Sequence, residues 1–196
     1  MASLVDFLSS KLDGDSVARI GEQLGQDKRT TQGAINLALP MLLGAFKKST
    51  ERDGGAGLAR ALASKHDGGI LDNLSGFLSQ NDRADGSGIL KHVLGSKQDS
   101  AAAMLQTGSG VDKQQAASLL ATLAPIVMGA LGKARHGDAD GTQVARILQQ
   151  ETQEIDARSP GALSAFTGFL DADGDGDTDL ADLVAHGKSK LGSLFR

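Results

Sequence analysis

The sequence predicts an all-α protein, a multihelical array built from two related helical repeats, and three observations support this. Apolar residues make up 40% of the 196 residues but aromatic residues only 3%, so the core must be aliphatic, and alanine and leucine favour helices. No segment shows the sustained alternation of apolar and polar residues that indicates a half-buried strand. The chain also repeats itself, and an internal repeat determines an architecture.

Four short segments recur in the same order along the chain. The first two pairs share one offset of 85 residues, since 25–28 recurs as 110–113 and 40–45 recurs as 125–130. Residues 59–62 then recur as 145–148, and 76–78 recur as 168–170. Their common order indicates a duplication, with copies at roughly 16–95 and 101–191. We therefore expect a duplicated helical array over residues 1–158 and a helix-loop-helix over 159–194 that is continuous with the second copy.

Each copy should contain one long core helix. Asp27 and Asp112 are candidate N-caps, because their carboxylates can accept hydrogen bonds from free amides of the first turn. Pro40 and Pro125 lie inside these helices, where a proline removes one backbone hydrogen bond and kinks the helix. A glycine four residues after each proline leaves room for close packing. Apolar residues recur at helical spacing, namely Ala34, Ile35, Ala38, Leu39, Leu42, Leu43 and Phe46, and in the second copy Leu119, Leu120, Leu123, Ile126, Val127 and Leu131.

Two shorter helices should follow each core helix. Glycine-rich connections at 53–57 and 136–141 lead to a second helix, at about 58–64 or 142–155. A third short helix should cover 71–78 in the first copy and 163–170 in the second. Ser159 and Pro160 precede the latter in the expected order, a cap and then a proline.

The charge of the chain is concentrated in one place. The formal net charge is −4, yet six aspartates lie between residues 171 and 182, and the remainder of the chain would carry +2. There is no basic stripe and little aromatic surface for stacking bases, so we expect no nucleic-acid partner. The absence of cysteine excludes disulfides and thiolate metal ligands.

The sequence favours a cytoplasmic protein. Its N-terminus lacks the basic region and long apolar region of a signal peptide, although non-classical export stays open. The apolar stretches 34–46 and 116–131 fall short of the ~20 residues that a membrane span needs, and we interpret them as buried core helices. Association with a membrane surface is a less favoured alternative.

The six aspartates fit an EF-hand-type calcium loop at residues 171–182. That pattern needs oxygen ligands at positions 1, 3 and 5, glycine at 6, a carbonyl at 7, an oxygen at 9 and a carboxylate at 12. Gly176 fills position 6, and predicted helices at 163–170 and 180–191 flank the loop. Hard oxygen ligands select calcium, with magnesium as an alternative. The predicted ligands are Asp171, Asp173, Asp175, Asp177 through its carbonyl, Asp179 directly or through water, and Asp182.

Two positions of the loop depart from the usual pattern. Position 12 is Asp182 instead of glutamate, and in this respect the loop resembles dockerin modules. Position 8 is Thr178, where an aliphatic residue usually pairs with a second EF-hand. These departures weaken the case for a paired lobe and make some magnesium binding plausible.

The first copy has a related segment without the ligands. Residues 85–86 (Asp-Gly) match 175–176 at an offset of 90, but Arg83 would occupy position 3 and His92 position 12. A guanidinium cannot ligate a cation. We interpret this segment as the same turn without a metal.

Glycine- and alanine-rich helices with the segments 88–95 (Gly-Ile-Leu-Lys-His-Val-Leu-Gly) and 123–131 (Leu-Ala-Pro-Ile-Val-Met-Gly-Ala-Leu) carry a family resemblance. Over roughly residues 1–150 the chain resembles the YidB-like bacterial proteins, a domain of unknown function. The resemblance implies an all-α fold and a bacterial source, and it implies no catalytic residue. The loop at 171–182 is an addition to that pattern.

An enzymatic function is not indicated. The histidines, at 66, 92, 136 and 186, have no metal-ligand spacing, and no Gly-x-Ser-x-Gly nucleophile motif occurs. His66 fits a turn, and His92 fits a buried imidazole on a helix. We expect a non-enzymatic calcium-binding protein, a calcium-stabilised or calcium-responsive module for interaction or assembly with itself or a protein partner. The alternatives are a self-associating scaffold with a purely structural metal and a protein that associates with a membrane surface.

Overall fold

The computed structural model describes residues 3–80, 83–135 and 140–158, together with Gly168. Regular structure in these residues is entirely helical, which confirms the all-α prediction for them. Two short 3₁₀ helices, at Gly69–Asp72 and Gly95–Lys97, accompany the α-helices. The α-helices are α1 (Leu4–Lys11), α2 (Gly14–Leu24), α3 (Lys28–Asp53), α4 (Ala56–Ser64), α5 (Leu74–Gln80), α6 (Ala84–Leu94), α7 (Gln98–Ser109), α8 (Lys113–Ala134) and α9 (Gly141–Arg158).

The two long helices, α3 and α8, begin in the same way. The Asp27 carboxylate accepts hydrogen bonds from the backbone N–H groups of Arg29 and Thr30 at 2.8 and 3.0 Å. The Asp112 carboxylate accepts from the N–H of Gln115, whose side-chain oxygen accepts from the N–H of Asp112 in return, which completes a capping box. Both predicted N-caps are therefore confirmed.

The helix before each long helix also ends in the same way. Gly25 follows α2 with φ of 66°, and Gly110 follows α7 with φ of 78°. Left-handed backbone at this position closes a helix C-terminus, and glycine adopts it without steric cost. The sharp reversal that follows lets α3 pack against α2 and α8 pack against α7.

The core is aliphatic and centres on α3 and α8. These two helices pack against each other, and α7 contacts both of them. Phe46 is fully buried, and the side chains around it are mainly leucine, isoleucine, valine and alanine. Pro40 and Pro125 lie inside continuous helices, as expected. Burial of the predicted apolar face thus holds the array together, because apolar contact area is its main favourable term.

Glycines let other elements approach α8 at backbone distance. A Cβ atom at Gly86, in α6, would overlap the carbonyl oxygen of Ala121, and one at Gly132 would overlap that of His66. A Cβ atom at Gly129 would overlap the Ile70 side chain. The prediction that Gly129 allows close packing is therefore confirmed.

The N-terminal helix α1 is fastened to the far end of α9. The Glu151 carboxylate accepts a 2.6 Å hydrogen bond from the backbone N–H of Leu4. Arg158 forms a bidentate pair with Asp6, with distances of 2.8 and 2.9 Å. Ser3 caps α1 by accepting from the N–H of Asp6 at 3.1 Å. A cluster of polar contacts thus joins the two ends of the described chain.

Two predictions of local structure need correction. The single short helix expected at 71–78 is a 3₁₀ turn followed by α5, because the carbonyl and side chain of Asn73 accept hydrogen bonds that begin α5. Residues 85–86 do not form the predicted turn, since both lie in the first turns of α6. Burial of Gly86 against α8 explains the helix there. The matching segments in the second copy, 163–170 and 175–176, lie outside the described residues.

Candidate functional site

The predicted metal loop falls outside the part of the chain that the structure describes. Its six predicted ligands are Asp171, Asp173, Asp175, Asp177, Asp179 and Asp182. In residues 3–80, 83–135 and 140–158, no group of three or more histidine, aspartate or glutamate side chains could hold a metal ion. The described array therefore offers no rival metal site.

His66 is the buried histidine of the described chain. Its side chain is 9% exposed, and its Nε2 atom lies 3.8 Å from the Oδ2 atom of Asp85. Its carbonyl oxygen packs against Gly132 of α8. This contact ties the connection after α4 to both α6 and α8, which is a structural role. His92 is exposed on α6, so the expectation that it is buried is wrong.

An open groove of about 560 Å³ lies between α4 and the start of α9. Backbone contact between Gly55 and Gly141 forms one end of it. Arg60 and Arg135 lie along it, while the Asp140 carboxylate caps α9 by accepting from the N–H of Gln143 at 2.9 Å. The lining carries both signs of charge, so it does not select a class of ligand.

One face of α3 is uncovered, and we define this α3 face as Gly33, Asn36, Leu37 and Pro40. Leu37 is 42% exposed, an unusual state for a leucine on a core helix. Gly33 and Asn36 are exposed and Pro40 is half-buried. The only partial cover recorded is from Gly108 of α7, where an added Cβ atom would lie 3.2 Å from a Leu37 methyl group.

The equivalent face of α8 is covered. At the offset of 85 residues, the counterparts of the α3 face are Ser118, Ala121, Thr122 and Pro125. Ala121 and Thr122 are each 5% exposed and Pro125 is buried, while Ser118 is half-buried. Helix α6 packs along α8 and seats Gly86 on Ala121. The two long helices therefore match in sequence but differ in what lies over them.

The sequence analysis missed this face, although a signal was present. The apolar residues at helical spacing on α3 include Ala34, Ile35 and Ala38 but skip Leu37. Leu37 is therefore an apolar residue outside the buried stripe, among exposed neighbours. Such a residue can indicate a surface that another element covers.

Helix α8 is long and apolar enough to cross a membrane by length and composition. Its most apolar stretch is 83% buried inside the array. Its apolar character is therefore accounted for by its place in the core, as the interpretation of 116–131 as a core helix expected.

These features define the class of protein as an all-helical array with a bacterial family signature and without a described metal centre. A family model described as a bacterial protein of unknown function (DUF937) matches residues 6–134. The chain belongs to this family, which confirms the resemblance to a bacterial family of unknown function over that range. No curated protein and no solved structure matches the chain.

Proposed function

We propose that this chain is a non-enzymatic calcium-responsive interaction module, in which one cation bound at 171–182 fastens the C-terminal segment to the helical array. The observation that carries the proposal is the loop sequence itself. Its oxygen-bearing side chains fall at positions 1, 3, 5, 9 and 12, and Gly176 falls at position 6. Calcium would be held by Asp171, Asp173, Asp175, Asp179 and Asp182 and by the carbonyl of Asp177.

Charge repulsion supports a bound cation. Six carboxylates within 12 residues raise one another's free energy of ionisation unless a positive charge neutralises them. Calcium supplies two positive charges and accepts six to eight oxygen ligands. Binding would therefore stabilise a loop that repels itself when empty. Magnesium is the alternative ion.

The proposal includes an internal duplication of the array. Asp27 and Asp112 cap α3 and α8, and Gly25 and Gly110 end the preceding helices, all at the offset of 85 residues. Prolines at 40 and 125 continue the correspondence. Copies at roughly 16–95 and 101–191 would make the calcium loop an insertion into the second copy.

A self-associating scaffold with a purely structural metal is the second candidate, and the exposed Leu37 favours it. An apolar surface of this kind can be covered by another copy. Light scattering with calcium and with chelator separates the two candidates. Assembly that follows calcium supports the responsive module, whereas assembly that ignores calcium supports the scaffold.

Isothermal titration of calcium into the full chain tests the calcium site. The wild-type chain should release or absorb heat with one site per chain. The double variant Asp171→Ala/Asp175→Ala should lose that heat, because two carboxylate ligands are gone. Asp85→Ala is the matched control, since it removes an aspartate before a glycine in the first copy, and it should titrate like wild type. Equal heat from wild type and the double variant would refute the proposal.

A further inference from the structure

The α3 face and its counterpart on α8 differ at one backbone group as well as in burial. A proline has no N–H, so Pro125 leaves the carbonyl of Ala121 without its usual helical donor. Gly86 of α6 packs against that carbonyl. A glycine Cα–H group directed at a carbonyl oxygen is a weak but favourable contact. On α3, Pro40 leaves the carbonyl of Asn36 in the same condition.

The first copy shows what covers such a face. Helix α6 places Leu90, Val93 and Leu94 in the core at 5%, 5% and 3% exposure, and it packs along α8. At the offset of 90 residues these three match Leu180, Leu183 and Val184, which lie in the predicted helix 180–191. The same apolar triplet thus follows each long helix in the chain.

The C-terminal segment has the length to reach the α3 face. Residues 159–179 provide 21 residues between Arg158 and Leu180. A chain extends at most ~3.3–3.6 Å per residue, so these residues can span up to ~70 Å, whereas a domain of this size has a radius of gyration of about 15 Å. Its length therefore does not restrict where the segment docks.

We infer that the α3 face receives residues 180–191 of the same chain, as the face of α8 receives α6. Leu180, Leu183 and Val184 would cover Leu37, and the second copy would then repeat the packing of the first. The calcium dependence of this docking rests on the proposed function, because the loop 171–182 immediately precedes and overlaps the docking helix. Calcium would fix the start of that helix and so raise its occupancy on α3.

A thiol placed on the α3 face reports the docking directly, since the chain has no cysteine. Asn36→Cys puts the thiol next to Leu37 at an exposed position. Ala117→Cys is the control, on an exposed face of α8. Maleimide labelling rates of both full-length variants are measured in calcium and in chelator. A docked state that is about 90% populated should slow labelling of the Asn36→Cys thiol about tenfold and leave the control rate unchanged.

A second variant and a crosslink identify the occupant. Val184→Asp places a charge in the apolar triplet and should restore fast labelling, whereas Lys190→Asp, on the polar side, should not. A crosslinker from the Asn36→Cys thiol to amines should recover peptides that contain Lys188 or Lys190 within one chain.

The outcomes separate this inference from the proposed function. Fast labelling of the Asn36→Cys thiol in a chain that shows calcium heat would overturn the docking and leave the calcium site intact. Protection in chelator as well, in a chain without calcium heat, would support the docking and overturn the calcium role. A crosslink between two chains would overturn the inference in favour of a second copy as the occupant.

Discussion

Gly86 in α6 and Ala121 in α8 are in backbone contact, with no space for a side chain between them. The carbonyl of Ala121 is the one that Pro125 leaves without its usual donor, because proline lacks an N–H. One proline and one distant glycine therefore act as a pair. Their contact fixes where α6 crosses α8 and places the Leu90, Val93 and Leu94 side chains in the core.

Gly86→Ala should destabilise the fold. The added methyl group would overlap the Ala121 carbonyl, and forcing an extra methyl group into a packed contact costs about 1–3 kcal/mol. Gly88→Ala, in the same helix at an open position, should stabilise by about 0.5–1 kcal/mol through helix propensity. Urea unfolding followed by circular dichroism gives both free energies. Equal effects of the two substitutions would contradict the proposed contact.

The capping box of α8 gives a second prediction. Asp112→Ala removes the acceptor for the N–H of Gln115 and should lower the free energy of unfolding by about 1 kcal/mol. Asp112→Asn retains an acceptor and should recover most of that loss. Gln114→Ala, at an exposed position in the same turn, should change stability by less than about 0.5 kcal/mol. Thermal melts of the three variants decide, and a loss in Gln114→Ala equal to that in Asp112→Ala would refute the cap.

The junction between α1 and α9 should weaken in acid. The hydrogen bonds from Arg158, and then those from Ser3, lower the pKa of Asp6 from 3.8 to about 2. A depressed carboxyl pKa stabilises the folded state above the unfolded pKa, and that stability is lost as pH falls from about 4 to about 2. Burial acts in the opposite sense on Glu151 and raises its pKa, so its protonation favours the folded state as pH falls.

Comparison of wild type with Asp6→Asn isolates the first effect, because Glu151 is present in both chains. The stability difference should be constant above pH 5 and should vanish near pH 2. An NMR titration of the Asp6 carboxyl in Arg158→Gln should show the pKa rise towards 3.8. A midpoint unchanged by Arg158→Gln would show that the bidentate pair does not set the pKa.

Local sequence signals predicted the parts of the fold that depend on neighbouring residues. Asp27 and Asp112 were identifiable as caps because a carboxylate before an apolar helix satisfies amides two or three residues away. The apolar spacing after each cap predicted the buried stripes of α3 and α8.

Contacts between distant residues were harder to predict. The Asp-Gly pair at 85–86 indicates a turn by local composition, yet Gly86 is helical because Ala121, 35 residues later, leaves room only for glycine. Leu37 was missed because coverage of a helix face depends on which element arrives there. The attachment of α1 through Asp6 and Arg158 likewise joins residues 152 positions apart.

The calcium content of the intact chain tests the central claim most directly. Native mass spectrometry in the presence of calcium should show one bound calcium ion per chain, absent from Asp171→Ala/Asp175→Ala and retained in Asp85→Ala. Competition with magnesium in the same spectra gives the preference between the two ions. Wild type without bound calcium, or a double variant that binds as much calcium as wild type, would contradict the assignment of residues 171–182 as the calcium site.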